Sequence, residues 1–276
     1  MDEFATAPSF AQARGAVAFW DLGEGTPVLV LHGFPDAPLG MSPLVDRLVR
    51  AGYRAIVPSL PGYAPSQPVE NYQSAAVAGD MIAVLDALEL ERVPVVGHDW
   101  GGCVALDLGA NHADRVSRVV SLAIPHPDGF VARRRDLQEQ KTAAYAWILA
   151  YSSGAAQLAA DSDWLDQVHE EWSPGLRRAE WSAVKEVLQR PGVGEAVHGW
   201  YRDDFGATTS TGEVLVPTLM LHGSDDGCIR PACFRGFEQR FPAGLELEQV
   251  SGVGHWLHVE QPDEIAARIV RFLSAG

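Results

Sequence analysis

The stretch Val93–Cys103, VPVVGHDWGGC, constrains the fold of this chain more tightly than any other. Val93, Val95 and Val96 make a short β-branched run of the kind found in a buried strand. Gly97 follows at once, then His98, Asp99, Trp100, Gly101 and Gly102, then CVALDLGA, which reads as a helix. A strand, a glycine-rich turn and a helix, with one polar residue at the apex, is the geometry of a nucleophile elbow. Gly97 and Gly101 lack a Cβ, so strand and helix can close on each other and push residue 99 into a strained, exposed position. In a G-x-S-x-G turn the apex is serine; here it is Asp99. A carboxylate attacking an ester or amide gives a mixed anhydride, a poor intermediate. Attacking saturated carbon, it displaces a leaving group such as an epoxide oxygen or a halide and forms an ordinary ester, which water can cleave. The plainer alternative for the same residues is a loop whose aspartate caps a helix.

The rest of the chain supplies the setting. Gly15–Leu22 and Thr26–Leu31 read as strands, Ser42–Ala51 as a helix closed by Gly52, and Tyr53–Val57 as another strand. Between Gln73 and Leu90 the residues Val77, Met81, Val84, Leu85 and Leu88 form one stripe at helical spacing. After the elbow comes a strand at Val116–Ile124. Repeated alternation of strand and helix predicts a parallel, doubly wound sheet, an α/β fold. The alternation breaks at Pro125-His126-Pro127. A helix-rich insertion follows, carrying Trp147, Trp164, Trp172, Trp181 and Trp200. Strand grammar returns at Val214–Leu221, and a helix is expected near Pro231–Phe241, a strand at Leu245–Val250 and a last helix at about Gln261–Leu273. The expected division is a core of residues 1–125 and 209–276 with a helical cap at 126–208.

A formal net charge of −15 argues against nucleic acid or an anionic membrane surface as partner. No apolar run reaches membrane-spanning length. The N-terminus has acidic residues where a signal peptide needs basic ones, and Cys103, Cys228 and Cys233 have no scaffold-like spacing. A cytoplasmic location is expected, with the thiols as small core or loop residues.

An ester-forming nucleophile needs a base for the water that breaks the ester, a carboxylate to orient the base, and donors for the oxyanion. His255 falls in a loop after the last strand and Asp226 in the loop after the preceding one, so both come to the same sheet edge as Asp99. The donors would be the backbone N–H groups of Phe34 and Trp100. The sequence resembles the α/β-hydrolase superfamily over nearly its whole length, and its epoxide hydrolases in particular. The resemblance rests on His32-Gly33-Phe34-Pro35, Gly97-His98-Asp99-Trp100-Gly101-Gly102, Pro125-His126-Pro127, Gly223-Ser224-Asp225-Asp226 and Gly254-His255-Trp256. It implies an α/β-hydrolase fold with a helical cap, and an Asp99–His255–Asp226 triad working without a cofactor or metal. The family places its acid three residues after Gly223, which selects Asp226 over its neighbour Asp225. It also implies cap tyrosines that protonate the opening epoxide. Trp200-Tyr201-Arg202 matches the family's segment and points to Tyr201; the second is Tyr145 or Tyr151.

Phe34, Trp100, Trp147 and Trp256 are expected to contact a small or medium apolar epoxide, with a homodimer left open. His32, His98 and His126 are expected to hold backbone turns. His255 and His258 have helical ligand spacing but no third ligand, so zinc is not expected. The competing readings are a haloalkane or haloacid dehalogenase with the same nucleophile, and a non-catalytic receptor that traps a ligand under the cap. Phe34, where haloalkane dehalogenases commonly carry Asn, and Trp100, where fluoroacetate dehalogenases carry Arg, both favour the epoxide.

Overall fold

In a computed structural model the chain builds one eight-stranded sheet in the order β1-β2-β4-β3-β5-β6-β7-β8. The structure describes residue 4 and residues 6–176, 178–204 and 211–275, with 178–180 described by backbone alone. The strands are β1 (Ser9–Gln12), β2 (Ala16–Leu22), β3 (Thr26–Leu31), β4 (Tyr53–Pro58), β5 (Val93–His98), β6 (Val116–Leu122), β7 (Thr218–Gly223) and β8 (Leu245–Val250). β1 and β2 pair antiparallel, and β2 also runs antiparallel to β4; from β4 to β8 every pairing is parallel.

The central parallel strands β3, β5, β6 and β7 are largely buried on both faces because helices cover both, whereas the edge strand β8 carries an exposed glutamate. Successive side chains of a strand point to opposite sides. Leu29, Leu31 and Val95 therefore join one core while Val28, Val30 and Val96 join the other. The first core packs beneath α2 (Ser74–Ala87) and α3 (Trp100–Asn111), with Val77, Met81, Val84 and Leu85 of the α2 stripe fully buried. The second packs beneath α1 (Ser42–Arg50) and α12 (Pro262–Ser274), through Leu44, Leu48, Ile265 and Ile269.

Between β6 and β7 the described residues contain seven helices and no strand: α4 (Pro127–Arg133), α5 (Leu137–Thr142), α6 (Ala144–Tyr151), α7 (Ala155–Ala159), α8 (Ser162–Trp172), α9 (Arg178–Leu188) and α10 (Val193–Asp204). The expected boundary of this insertion near residue 208 lies outside the described residues. Three local expectations need correction. Strand β1 was not foreseen, since its four residues carry no clear alternation. Neither was the four-residue helix α11 (Leu257–Glu260). The helix expected near Pro231–Phe241 is two single 3₁₀ turns, Pro231–Cys233 and Glu238–Arg240. Gly236, at φ +87°, breaks the chain between them.

Candidate active site

The turn between β5 and α3 has the strain its sequence requires. Asp99 sits at φ 51°, ψ −120°, a region that non-glycine residues rarely occupy. A Cβ on Gly97 would collide with the Gly101 carbonyl, and one on Gly101 with the carbonyls of Leu31 and His32. The plain reading of Asp99 as a side-chain helix cap does not hold, because its carboxylate makes no capping bond. Its backbone carbonyl starts the helix instead, accepting from Gly102 N–H at 2.8 Å and Cys103 N–H at 3.1 Å. The carboxylate is thereby free to reach across the sheet edge. Oδ1 accepts Phe34 N–H at 2.8 Å, from the turn after β3. The second expected donor, Trp100 N–H, makes no hydrogen bond to it.

The other oxygen, Oδ2, lies 3.6 Å from His255 Nε2. His255 Nδ1 is 3.0 Å from Asp226 Oδ2, and Asp226 Oδ1 accepts Cys228 N–H at 2.7 Å and Ile229 N–H at 2.8 Å. Asp225 points elsewhere, accepting from the Ser224 hydroxyl at 2.7 Å. All three members of the expected triad are buried. Burial alone would depress the His255 pKa, but the carboxylates of Asp226 and Asp99 outweigh it and push the imidazole up to about 10. With Asp99 ionised, His255 therefore holds a proton at neutral pH.

The helical insertion clamps this arrangement. The carbonyl of Trp172, left unpaired at the end of α8, accepts His255 N–H at 2.9 Å and Gly227 N–H at 3.3 Å. One carbonyl thus ties together the loops that carry the acid and the base. The Trp172 ring stands edge-on to His255 with centroids 5.4 Å apart. Nothing in the local sequence announced this contact.

Tyr201, on α10, is buried edge-on to Trp100, Phe34 and Tyr145 at centroid distances of 5.1, 5.9 and 5.9 Å. Tyr145, on α6, completes the pair, whereas Tyr151 is 61% exposed. Of the two candidates, it is Tyr145 that packs against Tyr201. Burial first, and the Asp99 charge second for Tyr201, raise the pKa of both phenols well above the usual value. Both are protonated at neutral pH. Tyr145, Trp164, Val168 and Trp172 line one part of a cavity of about 280 Å³, and Lys141, Thr142, Glu171 and Gly227 the rest; Trp164 stacks on Phe34 at 6.3 Å.

Two expected contact residues fall outside this cluster. Trp147 is 53% exposed and stacks on Tyr151, because its face of α6 turns to solvent. Trp256 is buried behind His255, packed among His98, His169, Trp172 and Trp181, where it braces the base.

The turn histidines behave as expected. His32 Nε2 accepts Leu60 N–H at 3.0 Å, and His126 Nδ1 accepts Asp128 N–H at 3.2 Å. His98 Nε2 lies 3.0 Å from the His255 carbonyl and pins the loop of the base. His258, which lacked partners in the sequence, joins His98 and Asp36; their ligand atoms all lie within 4.8 Å. Among the described residues this buried group has the donor set for a metal such as zinc. Asp36 Oδ2 stands 3.6 Å from His98 Nδ1 and 3.7 Å from His258 Nε2. Burial opposes its ionisation, but His258 and His98 hold the Asp36 carboxyl well below the usual range. No helix of the described residues is long and apolar enough to cross a membrane.

Comparisons with known proteins bear on the fold. Residues 26–262 match the family model for the alpha/beta hydrolase fold. The AB hydrolase superfamily protein YfhM of Bacillus subtilis is 28% identical over 91% of this chain and 91% of its own. Epoxide hydrolase A of Mycobacterium tuberculosis is 26% identical over 92% of each chain. The crystal structure of an epoxide hydrolase from Vigna radiata superposes with a TM-score of 0.82 at 20% identity, covering 99% of this chain and 98% of that one. With the family model matching residues 26–262, on the sheet and elbow described above, this chain is a member of the alpha/beta hydrolase fold family.

Proposed function

We propose that the chain hydrolyses small or medium apolar epoxides to vicinal diols through a covalent ester on Asp99, with no cofactor, beneath a lid that includes the helices α4 to α10. The observation that carries the reading is the pair of protonated phenols, buried Tyr201 and half-buried Tyr145, packed beside a carboxylate nucleophile. An epoxide oxygen leaves as an alkoxide tethered to the product and needs a proton; a halide does not.

The charges close without net proton exchange. Asp99 Oδ2 attacks an epoxide carbon, the C–O bond breaks, and its electron pair takes the proton of a tyrosine. The ester has no charge, so the attraction that held the His255 proton weakens, and that proton returns to the tyrosinate. Neutral His255 then takes a proton from water as the hydroxide adds to the ester carbonyl. The oxyanion forms where Phe34 N–H already binds Asp99 Oδ1. Collapse releases the diol and restores the Asp99 carboxylate beside protonated His255.

The test separates the two half-reactions. His255→Gln is expected to accumulate one substrate mass on Asp99, read by intact-protein and peptide mass spectrometry, while Asp99→Asn takes up none. An inactive His255→Gln that stays unmodified would overturn the covalent reading. The dehalogenase alternative draws on one observation, the buried Trp100 indole N–H beside the Tyr201 hydroxyl, a donor suited to hold a halide. Halide release from haloalkanes with no epoxide turnover would decide for it.

A further inference from the structure

The loop that delivers Asp226 to His255 delivers a second side chain to the site. Cys228 is buried and follows Asp226 by two residues; its N–H is one of those that fix the Asp226 carboxylate. Its Sγ lies 3.2 Å from the Tyr145 hydroxyl. Burial, reinforced by the nearby Asp226 and Asp99 charges, pushes the thiol pKa well up, so the group is a neutral S–H rather than a thiolate. We propose that Cys228 is a positioning residue for ring opening: its S–H donates to the Tyr145 oxygen and so aims the Tyr145 proton at the epoxide.

The proposal rests on the epoxide hydrolase reading above. A phenol hydroxyl has one proton and can accept as well as donate. If Tyr145 gave its proton to the thiol, none would face the substrate. With the thiol as donor, the Tyr145 proton is left for the side of the site where the Tyr201 hydroxyl and the substrate lie. As the C–O bond breaks, that proton moves to the alkoxide and the tyrosinate keeps its S–H bond. The thiol keeps its own proton throughout, so no oxidant or further base is needed. A hydrogen bond to a charged group is stronger than one to a neutral group, so the contact favours the ring-opening transition state over bound substrate.

The test compares Cys228→Ala with Cys228→Ser by pre-steady-state alkylation with styrene oxide. Loss of the donor is expected to slow alkylation about tenfold, a barrier change of about 1.4 kcal/mol, with substrate affinity and ester hydrolysis unchanged. Cys228→Ser, which keeps a donor, is expected to alkylate within about threefold of wild type by the same scale. A packing role would make the two variants alike, and equal rates would overturn the proposal. The infrared S–H stretch, assigned by difference against Cys228→Ala, supplies a substrate-free readout: Tyr145→Phe should shift it, and an unmoved band would also overturn the proposal. Wild-type enzyme that is not alkylated by any epoxide would instead remove the underlying reading, and this proposal with it.

Discussion

Replacing Asp99 by Asn should change the acid strength of a residue it never touches covalently. His255 sits between two carboxylates, with Asp226 Oδ2 at 3.0 Å and Asp99 Oδ2 at 3.6 Å, and together they lift its pKa to about 10. The amide of the Asp99→Asn variant keeps the shape and the Phe34 contact but removes one charge. An opposite charge at such a distance is worth about 1–3 pH units, or about 1.4–4 kcal/mol. His255 in Asp99→Asn should therefore titrate at about 7–9, and the same loss of charge occurs when Asp99 becomes an ester. The assay is an NMR titration of the imidazole signals, with His255 assigned by its absence in His255→Gln and the fold checked by near-UV circular dichroism. If His255 titrates at the same pH with and without the Asp99 charge, the proton cycle proposed above is refuted, because nothing would release the His255 proton upon ester formation.

The same shift has a consequence for stability. A histidine raised from 6.5 to about 10 in the fold stabilises it fully below pH 6.5, and this contribution is lost as the pH rises to about 10. Urea unfolding of the wild type should show stability falling across that window, and His255→Gln should remove this component; an identical slope in both would count against the shift. Among the tyrosines, Tyr201→Phe and Tyr145→Phe should each slow alkylation by epoxides, by about 10²–10⁴-fold if one acts alone and less if the two share the proton. Tyr151→Phe and Trp147→Ala, on the exposed side of α6, should leave alkylation unchanged; rapid-quench mass spectrometry of the ester checks all four.

What could be read from the sequence is what short-range sterics dictate. The run Val93–Val96 followed by Gly97 and Gly101 dictates a tight strand–turn–helix, because a Cβ at either glycine meets backbone. The stripe on α2 and the two-faced strands follow from helical and pleated periodicity, and the residues that close the triad fall on loops whose place is set by the order of the strands. The failures share one cause. Tyr145 and Tyr151 lie on the same helix, and no local pattern says which of them meets Tyr201 and which meets water. That was decided by how α6 packs on α10. Trp147 was misplaced for the same reason, and Trp256 because a residue next to the base can brace it as readily as it can line a cavity. The contacts that complete the site join residues far apart in the chain: Phe34 with Asp99, Trp172 with His255, His98 with the His255 carbonyl, and Tyr145 with Cys228. Each depends on distances between separately folded loops, which periodicity and turn chemistry do not specify; the strand order of the sheet and the packing of the helical insertion onto its edge set them.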